Sequence, residues 1–226
     1  MNIQRLSLPA TSDHALALVE IKPLQPRGGI VVVHGYGGSK EEVMGFAWRI
    51  AEAGFAVCLV ELSGHGENGM PLKNDWLLDI NRAIAYCRGY GKVCAIGHSL
   101  GGRLALLSAA DCAIGISPAL ATNMSKSTRI LLRNYRSYRV NEESFEDFIQ
   151  LFDALPAWEP STYRPELIIY GNRDLPQVIS DCHDAEAQGA TVEIVQAMHN
   201  DIYLHEEILK IVSDHLTQWL CRLTEY

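Results

Sequence analysis

The sequence of 226 residues predicts an α/β fold in which helices cover both faces of a mainly parallel, eight-stranded sheet. Apolar, β-branched runs such as "IVVV" at 30–33 are typical of strands that are buried on both faces. Amphipathic stretches that end in glycine, such as "SKEEVMGFAWRIAEAG" at 39–54, alternate with these runs and predict helices. Ligands of such sheets bind beyond the carboxyl ends of the strands, so the loops that follow the strands are where a site is expected.

Strands and helices alternate regularly as far as residue 117. The runs "IQRLSL" and "ALALVEI", separated by Pro9 and a polar turn, predict an antiparallel hairpin. The first helix is predicted to begin with a capping box formed by Ser39 and Glu42 and to end at Gly54. The other strands of this part are predicted at "IVVV", "FAVCLVEL", "KVCAIG" and "CAIGIS", and the other helices at "NDWLLDINRAIAYCRG" and "LGGRLALLSAA".

The alternation is interrupted between residues 118 and 164, where two or three helices are predicted as an insertion. Two further strands, "ELIIYG" and "TVEIVQ", enclose the helix "QVISDCHDAEAQG", and a last helix is predicted from about residue 203 to 221. We therefore expect a single domain whose core consists of residues 1–117 and 165–226, with the helical segment 118–164 inserted between two strands.

Composition and charge indicate an ordinary globular protein of moderate acidity. The formal net charge of −8, with no block of Lys or Arg, argues against nucleic acid or an anionic membrane as the main partner. Six scattered cysteines without a Cys-x-x-Cys pair indicate a reducing compartment. The N-terminal stretch has no apolar core of a signal peptide, and no run is long enough to span a membrane, so we expect a cytoplasmic protein.

The strongest functional signal is "IGHSLGG" at 96–102, in which Ser99 fits the nucleophile-elbow pattern G-x-S-x-G. The segment stands between a predicted strand and a predicted helix, which is the context that this pattern requires. Gly97 and Gly101 lack Cβ atoms, so the strand and the helix can approach closely. The alternative is that Ser99 only caps the helix, but a cap does not need glycines on both sides. We interpret Ser99 as a nucleophile.

A serine nucleophile needs a general base, and eight histidines compete for that role. His199 in "AMHND" directly follows the last predicted strand and is the best candidate. Asp174 in "YGNRD" is favoured as the acid that orients His199, because it also follows a strand. Asp201 is the competitor, but it resembles the N-cap of the final helix. His14 is assigned to the first hairpin turn, and three histidines are expected to be solvated: His183, His205 and His215.

Attack on a carbonyl forms an oxyanion that backbone N–H groups must stabilise. One donor is predicted to be the N–H of Leu100, which follows the candidate nucleophile, and the other the N–H of Tyr36 in "VVVHGYGGS". The alternative for this stretch is an ordinary glycine-rich exit from a strand. A metal site built on His34, His65 and His98 is less well supported, because no two of them have the H-x-H or H-E-x-x-H spacing.

The motifs, in this order, resemble those of the α/β-hydrolase superfamily over essentially the whole chain: "HGYGGS", "ELSGHGEN", "GHSLGG", "YGNRD" and "AMHND". On them the chain is identified as a serine esterase- or lipase-like member whose segment 118–164 corresponds to a short cap. The resemblance implies an α/β-hydrolase fold, and the order of nucleophile, acid and base is that of the family. The loop "ELSGHGEN" departs from the family's usual D-x-R-G-x-G-x-S at Glu61, Ser63 and Asn68.

The implied reaction is hydrolysis of a small or medium-sized carboxylic ester through an acyl-enzyme on Ser99, which needs no cofactor. A thioesterase, a C–C bond hydrolase with the same residues, and a catalytically poor ligand-binding relative are the alternatives. The cap would supply apolar residues to an acyl pocket, although packing of the cap on the body is the favoured explanation for them: Leu120, Met124, Phe148, Phe152 and Trp158.

Three arginines of the insertion, Arg129, Arg133 and Arg136, are predicted to lie on one face of a helix. They would either meet an anionic group of the substrate or pair with acidic residues on a solvated surface, and the sequence favours the second interpretation. The acidic residues expected as their partners are Glu142, Glu143, Glu146 and Asp147.

Overall fold

In a computed structural model, which describes residues 1–9, 15–67, 71–141 and 144–221, the eight predicted strands form a single sheet. These strands are β1 (Asn2–Leu8), β2 (Leu16–Lys22), β3 (Gly29–Val33), β4 (Ala56–Val60), β5 (Val93–His98), β6 (Cys112–Ile116), β7 (Glu166–Gly171) and β8 (Val192–Val195). Their order across the sheet is β1-β2-β4-β3-β5-β6-β7-β8. β2 is antiparallel to β1 and β4, and the other neighbouring pairs are parallel, so the predicted hairpin and mainly parallel sheet are confirmed.

Helices cover both faces of the sheet, as predicted. The α-helices of the described residues are α1 (Met44–Glu52), α2 (Trp76–Cys87), α3 (Leu100–Leu107), α4 (Lys126–Tyr135), α5 (Phe145–Asp153), α6 (Pro176–Ala187) and α7 (Glu206–Cys221). Successive side chains of a strand point to opposite faces of the sheet. In β3, Val31 and Val33 belong to the buried cluster of α2 and α3, whereas Ile30 and Val32 belong to that of α1 and α7. Burial on both faces explains why the sequence of this strand is a continuous apolar run.

The carboxyl ends of β3, β5, β6 and β7 lie side by side, because these strands are parallel and paired in register. Val33 at the end of β3 is the partner of Gly97 near the end of β5. Just beyond β5, the N–H of Ser99 donates a hydrogen bond of 3.0 Å to the carbonyl oxygen of Ile116 in β6. The loops that carry the candidate site residues therefore emerge at one edge of the sheet.

The segment 118–164 lies between β6 and β7 and contributes α4 and α5, with a short 3₁₀ turn between them. Phe148 and Phe152 of α5 are buried in the cluster that α2 and α3 also form, while α4 buries none of its residues. The helices were predicted from the sequence. The division of the chain into a core and a separate cap stays a prediction.

A single side chain of the core attaches both ends of this segment. Arg103 of α3 is fully buried, and its guanidinium donates hydrogen bonds to three backbone carbonyl oxygens. One is that of Ala121 near the start of the segment, at 2.8 Å. The others are those of Leu155 and Pro156 near its end, at 3.0 and 3.1 Å. Because a buried guanidinium needs such acceptors, these contacts fix the segment on α3.

Two helices begin later than the sequence predicts. α1 begins at Met44 and not at Ser39, and its start has no side-chain cap. The expected capping box does not form because Glu42, its second member, forms an ion pair with Arg139 instead. α7 begins at Glu206 and not near residue 203, because a 3₁₀ turn at 202–204 and an extended residue, His205, precede it.

Four residues considered from the sequence lie outside the described residues: His14, Asn68, Glu142 and Glu143. Within the ranges that the structure describes, no helix is long and apolar enough to cross a membrane.

Candidate active site

Ser99 lies in a tight turn between β5 and α3, with φ of 56° and ψ of −115°. This region costs a non-glycine residue on the order of 1–3 kcal/mol, so the surrounding structure must hold it there. Gly97 and Gly101 allow the close approach that the sequence predicts. A Cβ atom on Gly97 would lie 2.0 Å from the carbonyl oxygen of Gly101, and one on Gly101 would lie 2.4 Å from that of Val33.

The structure joins the three predicted residues of the site in a chain of hydrogen bonds. Nδ1 of His199 lies 2.7 Å from Oδ1 of Asp174, and Nε2 lies 3.1 Å from Oγ of Ser99. The Asp174 carboxylate can only accept, so Nδ1 carries the proton, and the Nε2 lone pair faces the serine hydroxyl. This is the arrangement that a general base needs in order to take a proton from a serine.

Asp174 is held as a carboxylate by several donors. Burial, the largest single influence, would raise its pKa, but hydrogen bonds from His199, from Oγ of Ser117 and from the N–H of Leu175 together lower that pKa below the ordinary value. The Ser117 and Leu175 bonds measure 2.5 and 2.6 Å. Asp174 is therefore ionised at neutral pH and accepts the Nδ1–H of His199 as a carboxylate.

Asp201, the competitor for the role of acid, is used elsewhere. Its Oδ1 accepts a hydrogen bond of 2.8 Å from the N–H of Met198 and lies 3.5 Å from Nε2 of His205. It also precedes the 3₁₀ turn at 202–204 and not the final helix, so the expected role as N-cap of that helix is wrong. The extended residue after the turn separates the two elements.

Ser117 was not identified from the sequence as a site residue. It directly follows β6, is fully buried, and has φ of 46°. Among the described residues, Ser99 and Ser117 are the two non-glycine residues with positive φ. A signal was present in the sequence, because Ser117 is a polar residue at the carboxyl end of a strand that adjoins the strand of Ser99.

We expect Ser117→Ala to lower kcat/KM for an ester about tenfold, because Asp174 loses a hydrogen bond that stabilises its charge. The pKa of Asp174 should also rise toward its ordinary value. Initial rates with a chromogenic ester at the pH of maximal activity give kcat/KM for both proteins. Ser108→Ala is the matched control, since this buried serine bonds to the carbonyl oxygen of Ala105 at the end of α3. A Ser117→Ala protein with the kcat/KM of the control would contradict the prediction.

His98 holds the loop that carries His199. Its Nε2 lies 2.7 Å from the carbonyl oxygen of His199. Burial, and next the charge of His199, lower the pKa of His98 to about 3, so the imidazole is neutral and its Nε2–H donates to that carbonyl. The sequence had no signal for this contact, because the two residues are brought together only by the fold.

Leu100 and Tyr36, the predicted oxyanion donors, line one cavity together with Ser99. Leu100 is the first residue of α3, a position whose N–H has no acceptor within its own helix. Tyr36 follows β3 at the same edge of the sheet and lines the cavity that contains Ser99. Its ring stacks on Phe148 of α5, with the ring centroids 3.8 Å apart. Their role as donors to an oxyanion stays a prediction.

A buried ion pair lies beneath the loop that contains Tyr36. Nζ of Lys40 lies 2.5 Å from Oε2 of Glu61, and the N–H of Lys40 donates to Oε1 at 3.1 Å. Burial, the largest influence, would raise the pKa of Glu61, but His34 and Lys40 together lower it to about 2. The loop is thus anchored to the end of β4 by a charged side chain that stays ionised at neutral pH.

Glu61 should make the fold acid-sensitive. Its pKa is about 2 in the folded protein against an ordinary 4.5, so it stabilises the fold above pH 4.5, and this contribution is lost as the pH falls toward 2. At pH 7 the contribution is on the order of 3 kcal/mol. Urea unfolding between pH 7 and 3 should therefore show the stability advantage of the wild type over Glu61→Gln shrinking with acid. The exposed Glu193→Gln is the control, and an advantage independent of pH would contradict the prediction.

Two cavities meet at Ser99. The larger cavity has a volume of about 320 Å³, is lined by His98, His199 and Tyr36 among others, and opens to solvent. The smaller, of about 40 Å³, is narrow and mainly apolar, and it reaches under α4 and α5.

Of the five residues considered for an acyl pocket, three line the smaller cavity: Met124, Phe148 and Phe152. Leu120 and Trp158 do not line either cavity and border a separate depression. Leu120 packs against α6, and Nε1 of Trp158 donates to the carboxylate of Glu166. For these two residues the structure agrees with the favoured explanation, packing of the segment on the body, and not with the acyl pocket.

The three arginines that the sequence places on one helical face have different surroundings in the structure. Arg129 lies 3.6 Å from Asp153 and also bonds to a backbone carbonyl. Arg133 is exposed to solvent. Arg136 lines the larger cavity beside Ser99. The expected partner Asp147 instead caps α5 with Ser144, so the predicted pairing is wrong where it can be compared.

The three histidines considered for a metal site, His34, His65 and His98, do not form a set of ligands. Within the described part of the chain, no group of three His, Cys, Asp or Glu residues is arranged to hold a metal ion. A ring nitrogen of His34, of His65 and of His98 each lies within hydrogen-bond distance of a backbone carbonyl oxygen, at 2.8, 3.0 and 2.7 Å.

Comparisons with known proteins find similarity in sequence and in fold. A thermostable monoacylglycerol lipase of Bacillus sp. (strain H-257) is 29% identical over 83 residues, which are 34% of this chain and 33% of that protein. The chain thus matches about a third of the length of this curated relative. An esterase of Pyrobaculum calidifontis is similar in structure with a TM-score of 0.70, at 18% identity, over 97% of this chain and 85% of that chain. A thioesterase domain from the curacin biosynthetic pathway gives 0.69 at 14% identity, over 96% and 99%.

These solved structures share the fold with the chain at an identity too low to transfer an activity. The sequence profile of the alpha/beta hydrolase family matches residues 30–207, a range that begins in β3 and ends in the first turn of α7. It contains Ser99, Asp174 and His199 together with the strands that position them. On this match and on its eight-stranded sheet, the chain belongs to the alpha/beta hydrolase family.

Proposed function

We propose that the chain is a serine hydrolase that cleaves the carboxylic ester of a small or medium-sized substrate through an acyl-enzyme on Ser99. The observation that carries this proposal is the position of His199, which bridges Oγ of Ser99 at 3.1 Å and Oδ1 of Asp174 at 2.7 Å. A serine hydroxyl is a poor nucleophile unless a base takes its proton, and this geometry supplies that base with its orienting acid.

The proposed reaction has two halves. Nε2 of His199 takes the hydroxyl proton as Oγ of Ser99 attacks the ester carbonyl, and the N–H groups of Leu100 and Tyr36 hold the oxyanion. The tetrahedral intermediate expels the alcohol, to which His199 returns the proton, leaving an acyl-serine. In the second half His199 takes a proton from water, whose oxygen attacks the acyl carbon, and the carboxylic acid departs as Ser99 recovers its proton. No step requires a metal ion or an organic cofactor.

We assign the acyl group to the narrow apolar cavity and segment 118–164 to the role of a cap over it. Met124, Phe148 and Phe152 line this cavity, and its small volume supports a short acyl chain. The names of the relatives, a monoacylglycerol lipase and an esterase, support an ester as the substrate class. A small-molecule ester is thus the proposed partner, and the net charge of −8 supports neither nucleic acid nor an anionic surface in that role.

The proposed location is the cytoplasm. Five described cysteines are buried free thiols: Cys58, Cys87, Cys94, Cys112 and Cys182. Such use of cysteine as a small buried hydrophobe supports a reducing compartment.

Labelling with a fluorophosphonate probe tests the proposed function. We expect one adduct on Ser99, found by intact mass and peptide mapping, and its loss in His199→Ala. An ester and thioester panel of increasing acyl length then identifies the bond that is cleaved. Absence of an adduct on folded protein would contradict the proposal and favour the ligand-binding relative, while faster turnover of thioesters would favour the thioesterase.

A further inference from the structure

Arg136 supplies a cation to the larger cavity beside Ser99. Resting on the proposed function, we propose that Arg136 binds an anionic group, a carboxylate or a phosphate, carried by the alcohol portion of the substrate. The guanidinium offers paired N–H donors whose spacing matches either anion.

The backbone fixes Arg136 over the loop that contains Tyr36. Gly37 has φ of 67°, and a Cβ atom there would lie 2.8 Å from Cβ of Arg136 and 2.9 Å from its carbonyl oxygen. The backbone at Gly37 and the backbone at Arg136 are thus in direct contact, and a side chain at residue 37 would push the two segments apart. Arg136 directly follows the last residue of α4, a helix that has no buried residue. The side chain of Arg136 is nevertheless only 25% exposed.

The guanidinium lies on the side of the site that the alcohol must occupy. Its Nη2 donates a hydrogen bond of 3.0 Å to Oδ1 of Asn200, the residue that follows His199. In the proposed reaction the leaving alcohol receives its proton from Nε2 of His199, so the alcohol lies next to that ring. The acyl chain is assigned to the smaller, apolar cavity, whose lining does not include Arg136, so the larger cavity is left for the alcohol.

The charges around Arg136 leave room for an anion. Besides histidines, Glu42 and Arg136 are the charged side chains among the described residues that line the cavity. Glu42 forms a closer ion pair with Arg139 than with Arg136, from which it lies 3.9 Å away. Two cations thus share one carboxylate, and the group of three has a net charge of +1. An incoming anion would balance this charge beside a side chain that is three-quarters buried, where ion pairing is stronger than at an open surface.

A matched pair of esters tests the proposal. The anionic substrate is 3-carboxy-4-nitrophenyl butyrate, and the neutral one is the same ester with a carboxamide in place of its carboxylate. Release of the nitrophenol gives kcat/KM for both, and the ratio of anionic to neutral is the readout. We expect Arg136→Gln to lower this ratio about tenfold or more, and Arg136→Lys to restore part of it. Arg133→Gln is the control. Arg133 is an exposed residue of α4, the helix that Arg136 directly follows, so its replacement should leave the ratio unchanged.

The outcomes separate the alternatives. The proposal would be overturned if Arg136→Gln left the ratio of anionic to neutral kcat/KM unchanged. This includes the case in which the variant loses kcat/KM equally with both esters. An equal fall in Arg133→Gln would also overturn it, because a general field and not a binding contact would be responsible. A phosphate-bearing analogue of the same ester distinguishes the two anions. The anion for which Arg136→Gln lowers the anionic-to-neutral ratio of kcat/KM more is the one that the site prefers.

A binding measurement makes the test independent of catalysis. In Ser99→Ala, calorimetric titration with 3-carboxy-4-nitrophenol gives its dissociation constant with and without Arg136→Gln. Weakening of about tenfold would support the anion site even if the wild type cleaved neither ester, a result that would count against the proposed function alone. Equal dissociation constants would overturn the anion site.

Discussion

Replacing Ser99 with alanine should lower kcat for ester hydrolysis by about 10⁵-fold or more, because the acyl group then has no oxygen to which it can be transferred. The remaining activity should be the small acceleration that the oxyanion donors and substrate binding supply without a nucleophile. Turnover of a chromogenic butyrate ester, together with the circular dichroism of both proteins, measures the loss in folded enzyme.

Ser108→Ala is the matched control for this variant. Ser108 is also buried and lies at the other end of α3, where its hydroxyl bonds to the backbone of the same helix. This control should keep the kcat of the wild type. A Ser99→Ala protein that retains turnover within about tenfold of the wild type would refute the acyl-enzyme, because loss of a nucleophile costs far more than that.

Replacing Asp174 with asparagine should lower kcat by about 10⁴-fold with little change in the geometry of the site. The carboxylate accepts the Nδ1–H of His199 at 2.7 Å, whereas an amide group can present its NH₂ to the same atom. Nδ1 would then accept, and Nε2 would carry the proton. In that tautomer His199 cannot take the proton of Ser99.

Asp201→Asn separates the two candidate acids. Asp201 accepts a hydrogen bond from the N–H of Met198, in the loop that also carries His199, and an asparagine oxygen can keep that bond. Its kcat should therefore fall far less than that of Asp174→Asn. If Asp174→Asn turned over like the wild type while Asp201→Asn lost activity, the assignment of the acid would have to be exchanged.

The strands and the residues of the hydrogen-bonded chain were predictable because each has a local signal. β3 is buried on both faces and is therefore a continuous apolar run, and the flanking glycines of Ser99 are required by contacts that a Cβ atom would block. Asp174 and His199 each follow a strand directly, and in a parallel sheet such positions converge at one edge.

The partners of the supporting residues were not predictable, although the position of Ser117 after a strand marks it as a candidate, because these contacts join distant parts of the chain. His98 and Ser117 act on His199 and Asp174, which are 101 and 57 positions away in the sequence. The late start of α1 has the same origin, since Glu42 pairs with Arg139 of the inserted segment. Capping rules use neighbouring residues only, and here a tertiary ion pair prevails over the local preference.

The attachment of segment 118–164 through Arg103 implies that the wall of the smaller cavity and the hydrogen-bonded chain of Ser99 are built by separable parts of the sequence. Ser99, Asp174 and His199 all emerge from the sheet, and none of them belongs to this segment. The segment is fastened through three backbone carbonyl oxygens, which any sequence of suitable conformation can present. We expect a replacement segment that keeps these carbonyl positions to change the wall of the smaller cavity while Ser99, Asp174 and His199 stay where the sheet holds them.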